Sequence, residues 1–314
     1  MNKLVIVAGP TAVGKSDVAV SLAKRINGSV ISADSMQVYK GMDIGTAKIS
    51  KEEMQGVTHY LIDVLEPDEI FDVHYFKEKS LEALQEICAK EQIPIIAGGT
   101  GFYIQSVLYD INFEAEADNS AIRAKLEKLS ETEAGKDFLY DRLLEIDPES
   151  ASVIHKNNVK RVIRALEFYE LNGYKISEHN EHERQKTSPY NNAYFVLNDD
   201  RDYIYKRCDL RVDKMIENGL VEEVRALYEK GYSINSTAMQ GLGYKEILGY
   251  FDGKMSLDEA VYIIKRDTRH FVKRQLTYFK REKDAIWIDA RDYDRDREKI
   301  AKVMSEVCHE RGIV

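Results

Sequence analysis

Eight residues near the start of the chain could hold phosphate. Gly9, Pro10, Thr11, Ala12, Val13, Gly14, Lys15 and Ser16 have the spacing G-x-x-x-x-G-K-S. Glycines at both ends let backbone N–H groups turn inward around phosphate oxygens, where no side chain would fit. Lys15 supplies a cation for the outer phosphates, and the Ser16 hydroxyl can hold Mg²⁺. The pattern points to a bound di- or triphosphate. A carboxylate follows at Asp34, in the run Asp34-Ser35-Met36-Gln37. It could bind Mg²⁺ through water, act as a general base, or merely cap a turn. Thr100, in Gly98-Gly99-Thr100-Gly101, could line the same pocket or start a helix as its N-cap. Arg207 and Arg211 lie one helical turn apart, and their guanidinium forks match phosphate oxygens. Salt bridges to Asp209 or Glu217 would use them equally well.

The elements that must position these groups are legible from apolar runs. Residues 4–8 read as a buried strand before the glycine-rich loop, and 17–26 as the helix after it, the context this loop requires. Strands are expected at 29–33, 59–65 and 93–97, with an amphipathic helix over 73–90 between the last two. Asp34 and Thr100 then fall at the carboxyl ends of strands, where open α/β sheets bind ligands. The polar loop 41–48, with glycines at Gly41 and Gly45, is placed at the rim of that site. Further strands are expected at 193–197 and 285–289, with helices at 203–230 and 293–311.

The segment 112–192 has a different character. It opens with the acidic, loop-like Glu114-Ala115-Glu116-Ala117-Asp118 and continues with helical periodicity over 120–171. The sequence therefore predicts an α/β fold: a P-loop-type parallel sheet flanked by helices, from residues 1–111 and 193–314, with an inserted all-helical lobe at 112–192. Within the lobe, Lys160, Arg161 and Arg164 share one side of a helix and suit phosphate contacts, although a solvated charged face has the same pattern. Arg123 is open to both readings. His179 and His182 lack a nearby third ligand and are read as surface residues. Residues 265–283 carry eight basic residues against two acidic ones, with His270, Phe271, Tyr278 and Phe279 among them. Such a face suits RNA backbone and unstacked bases.

The 314 residues allow two domains. Acidic residues outnumber basic ones by 54 to 45, giving a net charge of −9, which disfavours a general nucleic-acid binder but leaves local patches free. Cys88, Cys208 and Cys308 form neither a zinc pattern nor a disulfide framework. No apolar run approaches the ~18 residues that span a bilayer. A cytoplasmic protein without membrane association is expected, and the N-terminus reads as a core strand rather than a signal peptide.

The ordered set Gly9 to Ser16, Asp34-Ser35-Met36-Gln37-Val38-Tyr39, G-M-D-I-G-T-A-K at 41–48, Gly98 to Tyr103 and Arg274-Gln275-Leu276-Thr277 resembles the bacterial tRNA dimethylallyltransferase family, also called tRNA isopentenyltransferases. The resemblance covers essentially the whole chain. It implies transfer of a dimethylallyl group from dimethylallyl diphosphate to N6 of adenosine 37 in the anticodon loop of tRNAs reading codons that begin with U. It implies that the phosphate loop binds this diphosphate with Mg²⁺ rather than ATP. A monomer is expected. By resemblance, Asp34 is the general base, Thr100 orients the leaving oxygen, and Arg211 stabilises the diphosphate, with Arg207 as the alternative. The segments 34–37, 160–164 and 240–245 correspond to RNA-contacting stretches, which nominates Asp34, Ser35, Met36, Gln37, Lys160, Arg161, Arg164, Gln240, Gly241, Gly243, Tyr244 and Lys245; Thr100 and Arg123 match further tRNA contacts of the family. Tyr278 stands where the family often has tryptophan. An adenylate isopentenyltransferase and a P-loop nucleotide kinase or NTPase are the competing readings; the helical lobe and the basic helix weigh against the first, and the basic, aromatic helix has no role in a small-molecule kinase.

Overall fold

A computed structural model of the chain describes residues 2–113 and 120–314. The acidic run 114–118 lies outside them. The chain divides into two compact units, 1–108 with 188–314, and 109–187.

The first unit is built on a six-stranded sheet. In chain order it runs β1 (Asn2–Ala8), α1 (Lys15–Ile26), β2 (Gly28–Ala33), α2 (Lys51–Met54), β3 (His59–Tyr60), α3 (Val73–Ala89), β4 (Ile93–Gly98) and α4 (Gly101–Leu108). The second unit supplies α5 (Ser120–Leu129), α6 (Glu133–Ile146), α7 (Pro148–Val153), α8 (Val159–Asn172) and α9 (Ile176–Arg184). The first unit then resumes with β5 (Tyr190–Asn198), α10 (Arg201–Glu217), α11 (Leu220–Glu229), α12 (Tyr244–Phe251), α13 (Leu257–Phe279), β6 (Ile286–Asp289) and α14 (Arg297–Glu310).

All strand pairs are parallel, in the order β3-β2-β4-β1-β5-β6. Leu4 to Ala8 are fully buried, as a central parallel strand covered on both faces requires. Val5 and Val7 face α1 and α14 across a shared core of Val18, Leu22, Ala301 and Met304. The register aligns strand ends: Ala8 and Ala33 both pair with Gly98, and Ala8 with Val196. The residues that follow each strand, Gly9, Asp34 and Gly99, therefore emerge along one edge.

Several elements differ in extent from the sequence reading. β3 stops at Tyr60 because Leu61 (φ 60°) and Asp63 (φ 55°) turn left-handed. Beyond them only Leu65 bridges back, to Tyr39. The expected helix 203–230 is two helices, broken at Gly219 (φ 98°). Strand β5 begins at Tyr190, three residues before the expected start. The polar stretch after 175 is helical, and His179 packs against Phe168, ring centroids 5.1 Å apart, with its Nδ1 3.2 Å from the Tyr174 hydroxyl. His182 remains exposed.

Candidate diphosphate and RNA site

The phosphate loop leaves β1 at Gly9, whose φ of 151° and 2.7 Å clearance between a notional Cβ and the Leu197 carbonyl exclude any side chain. Ala12 is held left-handed at φ 63°, an unfavourable conformation for alanine of the kind that collects at binding sites. Gly14 (φ 100°) delivers the chain into α1. The unsatisfied N–H groups and dipole of this 12-residue helix point its positive end at the loop. The Lys15 ammonium folds across the loop to the Pro10 carbonyl at 2.7 Å. Burial and the neighbouring Arg211 charge lower its pKa to about 8, against the opposing influence of Asp34 and Cys208.

A residue 264 positions away completes the loop. The Gln275 side-chain oxygen accepts the Thr11 amide at 2.9 Å, and its Nε2 donates to the Gly99 carbonyl at 3.1 Å. One buried amide thus ties the phosphate loop to the turn after β4. Gln275 belongs to a motif visible in the sequence, but this role was not.

Asp34 follows β2, and its Oδ1 accepts the Met36 and Gln37 amides at 2.9 and 3.3 Å. The turn-capping reading of Asp34 is therefore realised. Both bonds go to the same oxygen, so Oδ2 can take a proton without breaking the turn. Thr100 donates its backbone N–H to the Ala33 carbonyl at 3.2 Å, and its own carbonyl accepts from Tyr103 and Ile104. Thr100 starts α4 through its backbone, which leaves the hydroxyl for other work.

Arg211 bridges two loops from α10. Nη1 donates to Thr11 Oγ1 at 3.4 Å and Nη2 to the Thr46 carbonyl at 3.1 Å. Its surroundings, chiefly burial, lower its pKa, while Asp34 and Cys208 act in the opposite direction. Neither Asp209 nor Glu217 takes Arg211; Asp209 pairs with Arg269. Arg207, one turn earlier, lies 5.9 Å from the Tyr203 ring centre. Lys15, Ser16, Ile44, Arg207, Leu210 and Arg211 line an open cleft of about 830 Å³ that Lys214 also reaches. Lys214 escaped the sequence reading, although 207, 211 and 214 have the spacing of one helix face. Five cations, Lys15, Lys48, Arg207, Arg211 and Lys214, outnumber the three carboxylates Asp17, Asp43 and Glu53 around this cleft, an excess that suits a polyanion. No three carboxylate, histidine or thiol groups converge into a metal site among the described residues. A Mg²⁺ held through Ser16 would take its other ligands from diphosphate and water, ordinary behaviour for this cation.

The expected RNA contacts divide. Gln37 is internal scaffolding, its Nε2 reaching the Thr46 and Ala47 carbonyls at 3.4 and 3.3 Å. Gly241 packs against Met36, with 2.4 Å between a notional Cβ and the Met36 methyl, so segments 34–37 and 240–245 adjoin. Ser35 and Met36 are partly exposed there, and Gln240 and Lys245 are exposed. Gly243 and Tyr244 need correction. Both are buried, Tyr244 to 1% exposure, and the Tyr244 hydroxyl bonds Glu223 at 2.6 Å, so its side chain does not face RNA. In the helical unit Lys160 and Arg161 are exposed. Arg123 and Arg164 instead converge on the fully buried Glu167, at 3.6 and 3.1 Å. The basic face of α13 is partly neutralised by α10: Lys265 meets Asp213 at 2.5 Å, Arg269 meets Asp209, and Phe279 is buried.

The IPP transferase family matches residues 37–282. A tRNA dimethylallyltransferase of Lachnoclostridium phytofermentans is 56% identical over the full length of both chains. One from Carboxydothermus hydrogenoformans is 47% identical, over 99% of this chain and 98% of its own. Among solved structures, the tRNA isopentenylpyrophosphate transferase of Bacillus halodurans superimposes with a TM-score of 0.74 at 41% identity, covering 99% of this chain and 98% of that one. A eukaryotic dimethylallyltransferase acting on tRNA gives a TM-score of 0.77 at 31% identity, over 92% of this chain and 74% of that one. No helix among the described residues is long and apolar enough to cross a membrane.

Proposed function

Because the chain belongs to the IPP transferase family, we propose that it transfers a dimethylallyl group from dimethylallyl diphosphate to N6 of adenosine 37 in tRNA. The observation that carries this reading is the convergence of Lys15 and Arg211 on one cleft, with the Asp34 carboxylate near enough to influence both.

The leaving group is a diphosphate, which needs the same cradle as the outer phosphates of ATP. The 9–16 loop, Lys15 and Arg211 hold its oxygens and stabilise the charge that grows as it departs. Mg²⁺, held through Ser16 and the diphosphate, would neutralise part of that charge. The adenine amino group is a weak nucleophile because its lone pair is delocalised into the ring. As N6 bonds to C1 of the prenyl group, the C1–O bond breaks and its electron pair leaves with the diphosphate. Asp34 accepts the N6 proton, at Oδ2. The Thr100 hydroxyl orients the leaving oxygen or the incoming base. Unstacking the adenine from a loop costs at most a few kcal/mol. Lys160 and Arg161 serve as phosphate contacts, with Ser35, Met36, Gln240 and Lys245 toward the anticodon loop. The enzyme acts in the cytoplasm as a monomer.

The test is incubation with unmodified tRNA, Mg²⁺ and labelled dimethylallyl diphosphate, with AMP in a parallel reaction, followed by nucleoside mass analysis. Label on the tRNA adenosine alone supports the proposal. Label on AMP would move the enzyme to free adenylates, the substrate class of the adenylate isopentenyltransferases.

A further inference from the structure

Three consecutive amides of the rim loop point at one carboxylate. Asp43, Ile44 and Gly45 donate to Glu223 at 2.8, 2.7 and 3.1 Å, and Tyr244 donates its hydroxyl to the same carboxylate at 2.6 Å. Successive N–H groups of this kind form a concavity for anions. Here the protein fills the concavity with its own side chain, from α11. At its far end the loop is fastened by Lys48, whose ammonium meets the Tyr39 carbonyl at 2.7 Å and Asp43 at 2.6 Å.

Between these two anchors lies Thr46, whose carbonyl accepts Arg211 Nη2 at 3.1 Å. The loop spans only the few residues from Gly45 to Lys48, so its position follows the anchors. Gly45 lets the anchor close: a notional Cβ there would lie 2.6 Å from the Tyr244 ring, which is itself fully packed. The spacing of Glu223, Gly45 and Tyr244 in sequence gives no hint of this cluster, because three separate segments supply it.

We infer that Glu223, braced by Tyr244, is a positioning residue for the diphosphate site: it holds loop 43–47 so that the Thr46 carbonyl aims Arg211 at the leaving group. The inference rests on the diphosphate reading of the cleft but not on the identity of the group transferred. Glu223→Gln replaces one acceptor oxygen with an NH₂ that opposes the loop amides. Without the anchor the Thr46 carbonyl keeps only the long bond from Gln37 Nε2 at 3.4 Å besides Arg211, so it shifts and the second restraint on Arg211 weakens.

The experiment is a double-mutant cycle read by binding of inorganic pyrophosphate with Mg²⁺, using wild type, Glu223→Gln, Arg211→Ala and the double variant. Glu223→Gln should weaken pyrophosphate binding by about 10-fold in the wild-type background, the scale of hydrogen bonds to a charged group. In the Arg211→Ala background the same change should cost no more than about 2-fold, since residues acting as one unit are non-additive. Equal losses in both backgrounds, or no loss in either, would overturn the inference. Tyr244→Phe removes only the hydroxyl brace and keeps the ring packing, so it decides the matter if Glu223→Gln does not fold. It should show the same dependence on Arg211 with a smaller loss, and an equal loss in both backgrounds would again contradict the role. In transfer assays, Glu223→Gln should lower kcat as well as raise KM for the prenyl diphosphate. If wild type binds pyrophosphate yet prenylates nothing, the proposed reaction fails while the binding cycle still decides the part played by Glu223.

Discussion

Gln275 and Thr11 meet across most of the chain: the α13 side chain accepts the phosphate-loop amide at 2.9 Å and passes a second bond to Gly99 at 3.1 Å. The glycine-rich loop 9–16 is thereby kept in register with the turn carrying Thr100. Gln275→Ala leaves the Thr11 N–H and the Gly99 carbonyl without this partner, a change expected to cost about 1–3 kcal/mol of stability. Denaturant unfolding should show the lower midpoint, and prenyl diphosphate KM should rise. A variant with unchanged stability and KM would mean that the bridge holds nothing in place.

That bridge marks the boundary of what the chain reveals before it folds. The phosphate loop and the strands at 4–8, 29–33 and 93–97 were legible because glycine spacing and apolar runs are local properties. Long-range pairings were not. The eight basic residues at 265–283 read as an open RNA face, yet Asp209 and Asp213 on α10 take two of them. Tyr244 was expected at the RNA because segment 240–245 resembles an RNA-contacting stretch of the family, but the missing Cβ of Gly45 makes room for its ring inside. Leu61 and Asp63 look like strand residues by composition, and only their left-handed backbone shortens β3. Arg211 lines the cleft beside the glycine-rich loop, next to a Lys214 that neither the helical spacing nor the family resemblance singled out.

Lys15, with its pKa lowered to about 8 by burial and by Arg211, should make diphosphate binding depend on pH. Below pH 8 the ammonium is charged before the ligand arrives. Above it, binding must first restore the proton, so affinity should fall and proton uptake should appear. Calorimetry at pH 8–9 in two buffers of different ionisation enthalpy measures that uptake. The stability sign is opposite: the unfolded chain holds this proton to higher pH, so Lys15 destabilises the empty protein below about pH 8, and the penalty fades as pH rises toward 10.5. An affinity that stays flat from pH 7 to 9.5 would show that Lys15 does not titrate there.

Asp34→Asn keeps an oxygen to cap the Met36 and Gln37 amides but cannot take a proton. It should retain tRNA affinity and lose about 10²–10⁴-fold in single-turnover transfer, the usual worth of a general base. Near wild-type turnover would remove Asp34 from proton transfer.

The two classes of basic residue in the helical unit should separate in salt. Lys160 and Arg161 are exposed, and changing both to alanine should lower the slope of log affinity against log salt by about 1–2 for tRNA. Arg164→Ala should instead destabilise the fold by about 1–2 kcal/mol, because the half-exposed Arg164 is one of two arginines at the buried Glu167 and Arg123 remains. Equal salt slopes for wild type and the double variant would place the RNA elsewhere.

The most direct measurement compares wild type with Lys15→Ala for two activities side by side: transfer of labelled dimethylallyl to tRNA, and hydrolysis of ATP. The expected result is transfer by wild type, its loss in Lys15→Ala, and no ATP turnover by either protein. ATP hydrolysis by wild type that Lys15→Ala abolishes, with no transfer to tRNA, would contradict the assignment and return the loop to nucleotide chemistry.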